Sequence, residues 1–193
     1  YLSLFRKDYL ENVRCSVLSF SLIVFFSVVA SLMMSRNMLN VFMLPCCMVP
    51  IVIRVFLDSR TAFMFHAAMT VIISVILNHP YEFILLQLVT GMIAIQSLRE
   101  LSQRSQIIKT AFIITFGYAV VYAAYELAIA NDPASIDISM FIFFAINGIL
   151  LLFAYPLLWL FEKVFNFVSD VTLVELSNIN NPLLMRLSEV APG

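Results

Sequence analysis

Residues 15–34 read CSVLSFSLIVFFSVVASLMM, twenty in a row without a charged side chain. A helix of that length rises about 30 Å, the thickness of a bilayer's hydrocarbon core. Five further stretches of the same kind follow, at residues 38–57, 61–78, 81–98, 107–130 and 138–161. Short polar breaks separate them, among them Ser35-Arg36-Asn37, Asp58-Ser59-Arg60 and His79-Pro80, with longer ones at 99–106 and at 131–137 around Asp132-Pro133. Hydrophobic residues make up 62% of the 193 and charged ones 12%, against about 25% charged in soluble domains. A chain this short has too little interior to bury that much apolar surface. Each stretch is too long and too evenly apolar for a lipid-exposed strand, and in hydrocarbon only helices or closed barrels satisfy their own backbone. The expected fold is all-α: a polytopic membrane helix bundle of six transmembrane helices, followed by short cytoplasmic linker helices.

The cations orient this bundle. Arg6, Lys7 and Arg14 precede the first stretch, Arg54 and Arg60 flank the end of the second, Arg99, Arg104 and Lys109 follow the fourth, and Lys163 and Arg186 lie in the tail. One side thus collects ten of the eleven basic residues; the other holds Arg36, with the acids Glu82, Glu126, Asp132 and Asp137. Both ends of the chain are therefore expected in the cytoplasm. The net charge of −1 argues against a nucleic-acid partner. A secretory signal peptide is not visible, and the abrupt start at Tyr1 reads as a cut from something longer. Cys15, Cys46 and Cys47 form no CxxC motif and have no nearby His, so they read as buried thiols rather than metal or redox ligands.

After Phe161 the composition changes. Ser169 or Asp170 suits the N-cap of a short amphipathic helix running past Glu175 to Ser177, and Asn181-Pro182 is the preferred opening of another. Two capped helices leaving a bundle suggest a coupling linker into a cytoplasmic domain; the plainer reading is a frayed tail. The expected division is an N-terminal segment at 1–14, a six-helix membrane domain at 15–161 and a linker at 162–193.

The run FEKVFNFVSDVTLVELSNINNPLLMRLSEVAPG, from Phe161 to Gly193, resembles the junction in bacterial seven-transmembrane receptors with an intracellular HD hydrolase domain. LDSRTAFMFH (Leu57 to His66) and EFILLQLVTGMIAIQSLRELSQRSQIIKTA (Glu82 to Ala111) fit the same family. The resemblance implies a parent with an extracytoplasmic domain, seven helices of which these six are the last, and a cytoplasmic HD domain. In such relatives that domain is a metal-dependent phosphodiesterase acting on cyclic di-AMP. The family's hydrolase begins after Ala191-Pro192-Gly193, so its divalent metal pair and catalytic residues are expected beyond this sequence. No catalytic residue, metal ligand or cofactor is assigned within it. The partners implied are the lipid bilayer, the attached HD and extracytoplasmic domains and a second copy of the chain.

Polar residues within the stretches are the remaining candidates, since ionisable groups in hydrocarbon are costly. Arg54 and Asp58 stand four apart with Arg60 close by, which suits either a switchable ion-pair cluster or a snorkelling pair at the boundary. With Ser169, Asp170, Glu175 and Asn181 they form the candidate coupling set. His66, Gln87, Gln96 and Asn147 are expected to hydrogen-bond between helices. At the outer face Glu82, Glu126, Tyr118, Tyr122 and Tyr125 form the candidate signal site, because the three tyrosines share one helical face. That group fits a cavity for a cationic or polar signal, or equally an interfacial aromatic belt with solvated acids. Pro45 and Pro50 are expected to kink the second helix and free carbonyls around Met43 to Cys46. Small residues at Ser27, Ser31 and Ser35, and at Ala119–Ala123 and Ala124–Ala128, favour close helix packing.

Two functions fit these features. One is a sensory and anchoring module of a cyclic-dinucleotide phosphodiesterase. The other is a six-helix small-solute transporter or the substrate-binding subunit of a vitamin transporter, which would need a polar site at broken helices.

Overall fold

A computed structural model describes residues 13–36, 40–98, 105–130 and 136–165. Seven α-helices follow one another there: α1 Val13–Arg36, α2 Met48–Phe56, α3 Ser59–Ser74, α4 Pro80–Ser97, α5 Ser105–Ala130, α6 Ile138–Leu151 and α7 Ala154–Phe165. A single 3₁₀ turn, Val41–Met43, precedes α2. The all-α expectation holds. The Ser169, Asp170, Glu175 and Asn181 linker lies outside the described residues.

Two of the expected spanning helices are broken, each near a proline: the second, where a kink is expected, and the sixth, which is expected to run through. Before α2 the chain makes the 3₁₀ turn, extends at Leu44 (φ −71°, ψ 121°) and turns at Cys46-Cys47. Leu44 precedes Pro45, and the proline ring drives the residue before it out of the α region. Pro50 is the third residue of the resumed helix, where a missing N–H has no intrahelical bond to lose. It therefore makes no kink, contrary to expectation; Pro45 alone marks the break. The second break, at Leu152-Phe153 between α6 and α7, holds no proline itself; Pro156 is third in the new helix, as Pro50 is in α2. A proline ring collides with the carbonyl four residues back, here that of Leu152, so α6 cannot run on. Leu152 and Phe153 instead close 3₁₀-type bonds to Ile149 and Leu150 at 3.1 and 3.0 Å.

The nine-residue α2 is the axle of the molecule. Met48 to Ile53 and Val55 are all buried, and α1, α3, α4 and α7 pack around it. The helices α3 to α6 pack in sequence, each on the next, and α6 returns to the 3₁₀ turn. At about 1.5 Å per residue α2 is about 14 Å long, roughly half the hydrocarbon thickness. Irregular backbone at membrane depth is tolerated only where protein surrounds it, and here it is buried from Leu44 onward.

The surface is inverted relative to a water-soluble protein. Phe112 and Phe116 on α5 are 73% and 71% exposed, and α1 turns Val17, Phe20, Val24, Phe25 and Val28 outward. Meanwhile His66, Thr70, Gln87, Thr90 and Asn147 are fully buried. Exposed apolar area on this scale marks a lipid-facing surface. Three stretches are long and apolar enough to cross a bilayer, at Cys15–Ser35, Ile108–Ile129 and Ile138–Phe161, the last running through the second break. The stretches at α3 and α4 are shorter or more polar, and the second is the interrupted segment Val41–Phe56.

Candidate functional site

The buried polar side chains converge on the first break. From α6, Asn147 sends its amide nitrogen to the carbonyls of Phe42 and Leu44, both at 2.9 Å. These acceptors are carbonyls that no helix uses, because the backbone around Pro45 cannot make i→i−4 bonds. One side chain thus holds the irregular segment on both sides of Met43. At the foot of the same segment the Cys47 thiol lies 3.3 Å from the Tyr118 hydroxyl and donates to Thr90 Oγ1 at 3.5 Å. Tyr118 in turn donates to Gln87 Oε1 at 2.8 Å. His66 completes the group from α3: its Nε2 is 2.9 Å from the Gln87 carbonyl. Since a carbonyl only accepts, Nε2 carries a proton and donates it there.

Two packing features hold this network in place. A side chain on Gly91 would run into the His66 ring, so only glycine lets α4 approach α3 closely enough for the His66–Gln87 bond. The Tyr118 ring stacks on Phe144 with centroids 5.4 Å apart and planes 14° from parallel. Phe42 and Phe144 meet edge to face at 6.2 Å, which ties the 3₁₀ turn to the same aromatic group. Three buried polar atoms here have no protein partner: His66 Nδ1, Gln87 Nε2 and Asn147 Oδ1. Each such group carries a desolvation cost of about 1–3 kcal/mol, so the network is held at some expense to stability.

The candidate signal site divides in two. Tyr118, Tyr122 and Tyr125 do share a face of α5, but that face runs from the core outward. Tyr118 is fully buried in the polar network, and Tyr122 accepts a hydrogen bond from the Asp137 N–H at 3.2 Å. Tyr125 is half-buried. Glu82, at the start of α4, lies within electrostatic reach of Glu126 and His79, and both carboxylates act on Tyr122 and Tyr125. Glu82, Glu126, Tyr122 and Tyr125 are therefore brought together, while Tyr118 belongs to the group inside. Asp137 caps α6 through Ser139, taking its N–H at 2.9 Å and its hydroxyl at 2.7 Å.

Arg54, Asp58 and Arg60 are arranged differently from a single helical face. The helix α2 stops at Phe56, Leu57 is extended, and Asp58 is the N-cap residue of α3. Arg54 donates to the Leu57 carbonyl at 3.4 Å, and Asp58 accepts from Thr61 Oγ1 at 2.5 Å. Arg60 is exposed on the first turn of α3. Gln87 and Asn147 fulfil their expected interhelical roles, whereas Gln96 is exposed near the end of α4. Cys47, Thr90 and Gly91 were missed as parts of the network. The adjacent Cys46-Cys47 between two prolines was the available signal, since it puts a weakly polar group at a helix break. Among the described residues no three His, Cys, Asp or Glu side chains converge as a metal site would require.

An apolar exterior around a polar, hydrogen-bonded interior and a broken central helix define a polytopic α-helical membrane protein. The comparisons sharpen that class: the family of 7TM receptors with intracellular HD hydrolase matches residues 1–169. The chain belongs to this family. It is similar to the cyclic-di-AMP phosphodiesterase PgpH of Listeria monocytogenes serotype 1/2a (strain 10403S), 25% identical over 167 residues that make up 82% of this chain and 23% of that protein. The chain thus spans about a quarter of the length of this relative. No solved structure matches.

Proposed function

We propose that the chain is the membrane sensory and anchoring module of a cyclic-dinucleotide phosphodiesterase whose substrate is cyclic di-AMP. A membrane or extracytoplasmic signal is relayed through it to a cytoplasmic HD domain. The observation that carries this reading is the family match over residues 1–169, and the likeness to PgpH supports the substrate. In this reading the bundle crosses the inner membrane six times with both ends in the cytoplasm. The divalent metal pair sits in the HD domain, reached through the linker that contains Ser169, Asp170, Glu175 and Asn181.

The relay follows packed contacts. A signal at Glu82, Glu126, Tyr122 and Tyr125 acts on the outer ends of α4 and α5 and on the Asp137 cap of α6. Asn147, on α6, holds the irregular segment before α2, and α2 packs against α7, the helix that leads out of the bundle. A change in α6 is thereby passed to the exit through an irregular segment that Asn147 ties to α6. Allosteric coupling needs two arrangements that the signal favours unequally; the break supplies an element able to have two.

The full-length parent in proteoliposomes tests the reading. Hydrolysis of cyclic di-AMP is expected, and Asn147→Ala is expected to change its rate by about fivefold, within the usual range of allosteric coupling. Equal rates in the parent and the variant would remove the relay, and no hydrolysis by the parent would remove the substrate. For the signal site, Glu126→Gln is expected to abolish any thermal shift produced by cationic ligands. An unchanged shift would return the acids to an interfacial belt. The broken helices also favour a second reading, a small-solute transporter or vitamin-transporter substrate-binding subunit, because carriers place their sites at such breaks. Solute uptake by vesicles containing the chain would select it.

A further inference from the structure

An apolar groove of about 490 Å³ opens on the lipid-facing side between α1 and α7. Phe25 and Val29 form one wall, Leu157 and Leu160 the other, and Leu44 and Pro45 the floor. Both helix breaks contribute to it, because Phe153 and Pro156 of the second also line it. Its lining is wholly apolar, which suits a hydrocarbon chain. On α7 the lining residues Pro156, Leu157 and Leu160 lie at three- and four-residue steps, and Lys163 stands one turn beyond Leu160. The Lys163 ammonium lies 5.1 Å from the centre of the Trp159 ring, and a Trp–Lys pair at the end of a spanning helix marks the headgroup level. The α7 wall of the groove therefore ends at Leu160, one helical turn from a cation.

We propose that this groove binds one anionic phospholipid, with an acyl chain between α1 and α7 and its phosphate at Lys163. The chain would lie against Leu44 and Pro45, whose neighbouring carbonyls Asn147 holds. Occupancy then favours one arrangement of the break, and the lipid acts as a ligand of the element on which the relay depends. The binding claim stands without the phosphodiesterase reading, and the experiment below measures binding alone.

The full chain is purified in mild detergent, stripped of lipid and offered phosphatidylglycerol or phosphatidylcholine, with bound lipid counted by native mass spectrometry. One phosphatidylglycerol per chain is expected. Leu157→Trp and Val29→Phe fill the groove and are expected to weaken binding by about tenfold, the effect of losing about two buried methylenes. Val24→Trp, on the exposed face of α1, is expected to leave binding unchanged, and thermal melts of all three check that they fold. Lys163→Gln is expected to abolish the preference for phosphatidylglycerol over phosphatidylcholine. Equal binding by wild type and both filled variants overturns the proposal, as does no retained lipid. A benzophenone side chain at Val29 that captures polypeptide instead of lipid assigns the groove to a second copy or a further helix of the parent, and also overturns it.

Discussion

Asn147 ties α6 to the irregular segment before α2. Its amide serves two backbone carbonyls that proline has deprived of helical partners. Asn147→Ala removes the donor to the Phe42 carbonyl and leaves the Leu44 carbonyl only the Cys46 N–H, and a loss of about 2 kcal/mol is expected, read as a lower melting temperature in detergent. Asn147→Asp keeps the shape but lacks the N–H₂ donor, so it is expected to lose at least as much. Gly91 is the second sensitive position. Gly91→Ala drives a methyl into the His66 ring and is expected to cost about 1–3 kcal/mol. Because the obstacle is that ring, His66→Ala should relieve much of the cost, and a double-mutant cycle should show strong coupling. Additive losses would mean that the close approach is not what requires glycine. Gln87 and Asn147 were legible in the sequence as polar groups within apolar stretches. Their partners were not, because a tyrosine 31 residues away becomes a neighbour only when α4 packs on α5.

The prolines separate at the level of elements. All three lie in apolar stretches, yet their positions in the helices differ. Pro50 and Pro156 each stand third in a helix, where the missing N–H costs nothing, while Pro45 stands in the irregular segment itself. Pro50→Ala is expected to change stability by less than about 0.5 kcal/mol. Pro45→Ala lets the chain before α2 seek helical bonds and compete with Asn147, so it is expected to broaden or lower the melt. Equal effects from the two would contradict the assignment of the break to Pro45. The α6 cap gives a pH prediction. Hydrogen bonds from Ser139 hold the Asp137 carboxyl below its ordinary value of 3.8. A lowered folded value stabilises the folded state above the ordinary value and ceases to do so as pH falls through the folded one. The helix cap is therefore expected to weaken only below about pH 4, and Ser139→Ala should remove that dependence, as followed by amide exchange at the start of α6.

The arrangement of the whole molecule makes a topology prediction. On the six-crossing reading, Asn78 and His79, between α3 and α4, fall on the opposite side of the membrane from Lys163. Cysteines introduced at Asn78 and Lys163 are expected to react with impermeant thiol reagents from opposite sides of the membrane. The three native cysteines are buried and should contribute little background. Labelling of both from one side would undo the six-crossing reading and the positive-inside orientation with it.

The apolar stretches and the uneven distribution of Lys and Arg were enough to establish an all-helical membrane bundle and to suggest its orientation. Both follow from one-dimensional quantities, the free energy of moving a segment into hydrocarbon and the bias of basic loops toward the cytoplasm. The run from Phe161 to Gly193, with Leu57 to His66 and Glu82 to Ala111, likewise carried the resemblance to the family. Tertiary structure decided the rest: that α2 is short and central, that Tyr118 turns inward to Gln87 while Tyr122 meets Asp137, and that one asparagine holds the break. In lipid the hydrophobic effect does not choose between helix faces, so the choice falls to hydrogen bonds and close contacts between residues far apart in the chain. Those pairings depend on which helices lie side by side, and hydropathy along the chain does not record it.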